Sequence, residues 1–450
     1  MGNNKVKKGI DRRSFLQSTA AIGAGLVLGP RAFGQTASTK PDDINIALLG
    51  CGTQGQVLVD ACLKIQGIRF KAVCDIWTAY NQRIVSRRLK AYKHQHNTYV
   101  DYREMLDKEK DLDAVIIATP DFWHAEHAVA ALKAGLNVYC EKEMSNTIEG
   151  AQKIVQAARE TGKLLQIGHQ RRSNPEYLYC YNKLLKQANL LGRITAINGQ
   201  WNRSKTACEF RTVPKNTEID TDTLNKHGFE SMEQFRNWRW FKGLGGGPIV
   251  DLGSHQIDIY NWFLDANPKS VMASGGTDYW TGRQWYDNVM AIYEYPTKQG
   301  TVRACYQTIT TNSSNGYFET FMGDEGTLVI SEASSRTKLY REAWVAPEKW
   351  EKWVKEGYIK DAEKLEEKPQ NGAAVDVRES PKPPSYDIMV TMDQLYHLPH
   401  LKNFFDAIRG KAKLNCPAEE AYRTAVTVLK VNEAVGAACK LCFKPEEFRV

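Results

Sequence analysis

Between residues 245 and 264 the chain reads GGGPIVDLGSHQIDIYNWFL. Asp251, His255 and Asp258 stand four and three residues apart, the spacing that stacks side chains along one edge of a helix running on from Pro248. An imidazole set between two carboxylates suits proton transfer near neutrality, because histidine is the side chain whose intrinsic pKa lies there. The plain alternative is a solvated helix edge, where Asp and His are common neighbours.

The elements that would position such an edge begin upstream. INIALLGCGTQGQVLVDACLKI gives an apolar run, a glycine turn, and then Val57, Leu58, Ala61, Cys62 and Ile65 at helical spacing, hence strand, tight turn and helix. Gly50, Gly52 and Gly55 fit GxGxxG in that setting. The first permits the turn, the second lets backbone approach a pyrophosphate at Thr53 and Gln54, and the third lets the helix pack on the sheet. Asp75 ends the next strand, RFKAVCD, where a carboxylate accepts from both hydroxyls of the adenosine ribose. Ile76 and Trp77 follow it in place of a basic residue, so NAD is expected over NADP. LDAVIIATP, NVYCEK and KLLQIGH read as further buried strands, separated by the helical stretches HAEHAVAALKAG and TIEGAQKIVQAARETG. This alternation predicts a doubly wound parallel sheet over residues 41–168.

Over residues 169–450 the pattern changes. RITAINGQW, DNVMAIYEYP, GTVRACYQTITT and GTLVISE are longer strands with polar alternation, which predict an α/β domain built on a larger, mainly antiparallel open sheet. Residues 335–395, rich in Trp, Lys, Glu and Pro, read as a surface insertion. Residues 1–34 have a basic head, a short apolar stretch and the ending Ala32-Phe33-Gly34. Arg12-Arg13 before Ser14-Phe15-Leu16 resembles a twin-arginine signal, whose pathway carries folded proteins to the periplasm. Phe15 to Leu28 is too short and too rich in Gly, Ser and Thr to span a bilayer, so no membrane span is expected. Six of the 60 basic and one of the 52 acidic residues fall in this leader, and the remaining balance of +3 gives no argument for a nucleic-acid partner. At 42% hydrophobic and 25% charged residues, the rest is ordinary globular sequence. The ten cysteines lack the spacing of a disulfide scaffold, and Cys439-x-x-Cys442 lacks a second pair, so no metal is assigned. His94, His96 and His169 read as polar or surface residues.

Taken with the glycine turn, TPDFWHAEHAVAALKAGLNVYCEK and GGG followed by DLGSH make the chain resemble the glucose-fructose oxidoreductase, inositol dehydrogenase and rhizopine-catabolism (Gfo/Idh/MocA) family. HLKNFFDAIRGKAKLNCPAEEAY is similar to that family's C-terminal helical return to the first domain. The resemblance implies a Rossmann domain and a second domain whose open sheet joins copies into a homo-oligomer. It implies that Lys142, in Glu141-Lys142-Glu143, lies near nicotinamide and substrate, and that Asp251 and His255 face the nicotinamide, with the three glycines letting backbone and ligand come close. It further implies that Thr119, Pro120, His124 and Glu141 line the cofactor and that Arg172, with Pro175, serves the substrate side, where Asp258 would support it. Glu143 departs from the family's proline, and its carboxylate would hold Lys142 charged or reach a substrate hydroxyl.

Oxidising a secondary alcohol removes a proton from oxygen while hydride leaves carbon. His255 is then the expected base, Lys142 the group that stabilises the alkoxide, and Asp251 the residue that orients the imidazole or a sugar hydroxyl. An exported enzyme leaves the soluble NAD pool behind, so its cofactor should travel bound and its hydride be passed on. The expected activity is that of an NAD-dependent oxidoreductase acting on a sugar or glycoside hydroxyl. The alternatives are a redox-neutral glycosidase working through a 3-keto intermediate, and a sugar-binding or interaction protein without turnover.

Overall fold

A computed structural model describes residues 42–362 and 383–450, so the expected leader and residues 363–382 of the expected insertion lie outside the described residues. The first sheet is built from β1 (Ile44–Leu49), α1 (Thr53–Cys62), β2 (Ile68–Cys74), α2 (Arg83–Ala91), β3 (Asn97–Tyr99), α3 (Tyr102–Lys108), β4 (Ala114–Ile117), α4 (Asp121–Lys133), β5 (Asn137–Cys140), α5 (Ile148–Thr161) and β6 (Leu165–Ile167). All its strands pair in parallel, in the order β3-β2-β1-β4-β5-β6. The near-continuous apolar run of β1 follows from burial on both faces: Ile44, Ile46 and Leu48 enter one core, Ala47 and Leu49 the opposite one. Strand order reverses between β1 and β4, and a doubly wound sheet opens a ligand crevice at such a point.

The second sheet comprises β7 (Ile194–Asn202), β8 (Ser270–Gly276), β9 (Asn288–Thr297), β10 (Gly300–Ile309), β11 (Tyr317–Gly323), β12 (Gly326–Ile330), β13 (Lys338–Arg341), β14 (Ile359–Asp361), β15 (Ser385–Ile388) and β16 (Leu441–Cys442), in the order β14-β15-β13-β12-β11-β7-β10-β9-β8-β16. Only the β7–β10 pair is parallel. The described part of the stretch expected as a surface insertion is sheet: β13, β14 and β15 form its edge, and Trp350 of the intervening helix Pro347–Lys355 is buried against Tyr386 with ring centroids 5.0 Å apart. The outward residues Lys349, Lys352 and Lys355 of that helix account for the insertion-like composition.

The helix Gly247–Leu264, here α6, lies between this sheet and the helix Ala418–Ala437. Of its 18 residues 15 are buried, which rules out the solvated-edge reading of Asp251, His255 and Asp258. Its glycines serve packing within the protein. Gly247 has φ +74°, and a Cβ there would fall 2.7 Å from the Trp285 Cβ; one on Gly245 would fall 3.0 Å from the Trp238 ring. The helix Leu398–Ile408 returns to the first sheet, where Leu401, Phe404 and Phe405, one face of a helix, join the core under β1. Between β7 and α6 a strap of short helices, Thr221–Lys226 and Met232–Asn237, makes a small core of Leu224, Phe229, Trp238 and Leu244, against which Ile76 and Phe122 of the first domain pack. Trp123 Nε1 donates to the His227 carbonyl at 3.1 Å, tying the strap down. Among the described residues no helix is long and apolar enough to cross a membrane.

Candidate active site

At the crevice the glycine turn does what its spacing requires. Gly50 has φ +96°, and a Cβ there would fall 2.6 Å from the Ala118 carbonyl; one on Gly55 would fall 2.1 Å from the Gly50 oxygen. Gly52 caps α1, no side chain caps that helix start, and the atom nearest a Cβ on Gly52 lies 3.9 Å away. The open backbone there is a cradle for an anion. Gly50, Gly52, Thr53, Gln54, Asp75, Thr119, Pro120, Glu141, Lys142, Asp251 and His255 all line one cleft of about 770 Å³, whereas Gly55 sits behind it in the helix–sheet packing. Asp75 accepts from the Cys51 N–H at 2.6 Å and the Trp77 N–H at 2.7 Å, one on each oxygen, and from the Asn81 side chain, and it stands in the cleft wall. His124 does not reach the cleft. Its ring nitrogens lie 2.7 Å from the Glu143 carbonyl and 2.8 Å from that of Thr119, joining the loops that follow β5 and β4.

Lys142 leaves the end of β5 and meets α6: its Nζ donates to the Asp251 carbonyl at 2.5 Å and lies 3.2 Å from Asp251 Oδ1. Arg239 Nε donates to the same Oδ1 at 2.9 Å. Burial alone would raise the Asp251 carboxyl, but Arg239, Lys142 and Arg203 hold it well below the ordinary carboxylate range. Asp251 therefore orients Lys142 rather than the imidazole. No hydrogen bond joins Asp251 to His255, whose buried Nδ1 has no partner among the described residues. Burial, reinforced by the charges of Lys142 and Arg171, pushes His255 well below its ordinary pKa, so the ring is neutral at pH 7. It leans on Trp201, ring centroids 5.4 Å apart.

The residues expected on the substrate side lie elsewhere. Arg172 and Asp258 form a buried bidentate pair at 2.9–3.0 Å, completed by Thr424 at 2.8 Å, and neither lines the cleft. The Asp-His-Asp edge is thus split, its third member turned into the domain interior. Glu143 is also buried off the cleft, one oxygen accepting from the Met144 N–H at 2.8 Å and the other without a partner among the described residues; burial pushes its carboxyl up to about 8. The Lys142–Glu143 peptide is cis. His169, expected as a polar or surface residue, is 1% exposed, and neither ring nitrogen has a partner among the described residues. His94 and His96 are partly exposed, away from the cleft.

Several cleft residues carry no sequence signal of their own. Asp121 opens α4 and reads as an ordinary first-turn acid, yet it lies in the wall with its carboxyl lifted by burial to about 7, against the pull of Arg239 and Lys142. Trp201 and Tyr317 are register partners on β7 and β11, their rings stacked at 4.6 Å. Gln170, nine-tenths buried, lines the cleft, and its buried Oε1 has no partner among the described residues. Only the pairing of distant segments brings these together.

Comparison with known proteins agrees with this architecture. Residues 44–169 match the model of the oxidoreductase family with an NAD-binding Rossmann fold, and residues 217–435 that of the same family's C-terminal alpha/beta domain. An alpha-N-acetylgalactosaminidase of Shewanella oneidensis and a glycosyl hydrolase family 109 protein of Shewanella baltica are each 29% identical over 175 residues, 34% of this chain, and the chain spans only 38% of the length of these curated relatives. The WlbA dehydrogenase of Bordetella pertussis, solved with NADH and UDP-GlcNAcA, superposes with a TM-score of 0.63 at 17% identity, covering 89% of this chain and 99% of that one. A levoglucosan dehydrogenase solved with NADH gives 0.64 at 16% identity over the same shares. At such identities these structures speak for the fold. Both halves of one family, matched in order along most of its length, place the chain in the Gfo/Idh/MocA oxidoreductase family, with NAD as its cofactor.

Proposed function

We propose that the protein is an exported oxidoreductase that moves hydride between a hydroxyl-bearing carbon of a sugar or glycoside and tightly held NAD. The observation that carries this reading is the meeting of Lys142 and His255 in the same cleft as the glycine turn, a cleft of about 770 Å³. Bound NAD supplies the hydride acceptor. Lys142 directs two of its three N–H donors at Asp251, so one donor is left for a substrate oxygen. Neutral His255 is able to take the hydroxyl proton. The stacked Trp201 and Tyr317 rings in the cleft wall suit the apolar face of a sugar ring. The Arg12-Arg13 leader supports a periplasmic location. The outward-facing Met272, Met290 and Ile292 of β8 and β9 support a homo-oligomer formed through the open sheet.

The glycosyl hydrolase family 109 relatives favour a second reading, redox-neutral cleavage of a glycoside through a 3-keto intermediate. Elimination from that intermediate needs a proton carrier near neutrality, and Asp121, lifted to about 7, is such a group in the cleft. A panel of glycosides offered to the purified protein, with bound-cofactor fluorescence and products followed together, tests both. A keto sugar or lactone supports the first reading, and released aglycone with no net cofactor change supports the second. No response to any sugar would sink both.

A further inference from the structure

Arg203, Arg211 and Arg236 line the cleft, and among the described residues none of the three has an ion-pair partner. Unpaired guanidinium groups around one cavity call for an anion. Two of the contacts point to where it sits. Arg211 Nη1 lies 3.3 Å from Thr53 Oγ1, and His397 Nε2 lies 2.9 Å from Gln54 Nε2. Thr53 and Gln54 are the first two residues of α1, directly after the uncapped Gly52. Arg211 comes from the stretch between β7 and the strap, and His397 from the residue before the return helix, so two segments far apart in sequence converge on one turn. A helix start carries only a partial positive charge, whereas a pyrophosphate brings two full negative ones. The turn alone leaves much of that charge unmatched.

We infer that Arg211 and His397, both carried by the second domain, bind the NAD pyrophosphate from the side opposite the glycine turn. The guanidinium fork suits two phosphate oxygens at once, and the imidazole, whose Nε2 accepts from the Gln54 amide, carries its N–H donor on Nδ1. The cofactor is then held between domains, and its release requires both segments to withdraw. Arg236 stands in the same wall, its guanidinium 4.9 Å from the centroid of the Trp77 ring.

The inference rests on NAD as cofactor and not on any sugar, so its test leaves turnover aside. Titration calorimetry of the full chain, first stripped of its bound cofactor, with NAD, ADP-ribose and adenosine separates the pyrophosphate from the nucleoside. R211Q and H397N should each weaken NAD and ADP-ribose about tenfold and leave adenosine within about twofold. In the wild-type chain ADP-ribose affinity should fall as salt rises while that of adenosine does not, a test that needs no variant to fold. Unchanged NAD affinity in both variants, losses of equal size for adenosine, or a salt-independent ADP-ribose affinity would each overturn the inference.

Discussion

Lys142 and His255 divide the proton work between a fixed cation and a neutral ring, and each half can be removed alone. Lys142→Met and His255→Ala should abolish reduction of bound cofactor by substrate while NAD affinity stays within about tenfold, or ~1.4 kcal/mol. A variant that turns over at the wild-type rate takes its residue out of the chemistry. Because burial lowers the His255 pKa well below its ordinary 6.5, kcat/KM of the wild type should show no acid limb as pH falls through 6.5 that survives Asp121→Asn; a limb there in both proteins contradicts the assignment. Glu143 makes the opposite kind of prediction. Its carboxyl rises from an ordinary 4.5 to about 8, so between those values the folded state keeps a proton that the unfolded chain has lost, and stability falls as pH rises. Urea unfolding of Glu143→Gln, which has no proton to lose, should show a flatter pH dependence over that range than wild type. The glycine turn and Asp75 are legible in the sequence because their context is local, whereas Lys142, Asp251 and His255 stand out through the motifs that resemble a known family. Asp121 is not legible, since Arg239 and Lys142 come to it from other elements, and Arg172 and Asp258 are legible only as candidates, since nothing local says they will neutralise each other.

Among the elements, α6 fixes the site because it is buried nearly all round and cannot rotate without moving both the sheet and the helix behind it. The edge strands are the part that composition hid. β13, β14 and β15 have four residues or fewer each, too short for their alternation to outweigh the charged residues around them. Trp350 is what commits that region to the fold, and Trp350→Ala should cost about 3–5 kcal/mol by urea unfolding. A loss below about 1 kcal/mol would mean that the helix it sits on does not hold the edge. The six parallel strands, by contrast, announce themselves as apolar runs between helices, since burial on both faces leaves little room for polar residues.

For the whole molecule, two domains matter because neither alone encloses the cleft: the glycine turn and Lys142 come from one, α6, the strap and His397 from the other. If copies associate through the open sheet, Ile292→Lys should shift light scattering toward a smaller species, since Ile292 is 40% exposed on the outward face and pairs with Met272. An unchanged mass would place any association elsewhere. The proposed reaction is hydride transfer from a sugar carbon to the cofactor held in this cleft. It is tested most directly with a glycoside that the enzyme turns over, deuterated at its ring carbons, by extracting the cofactor during turnover and weighing it. The account predicts NADH heavier by one mass unit in the wild type and none in His255→Ala; conversion of the labelled glycoside with the extracted cofactor unlabelled throughout would contradict it.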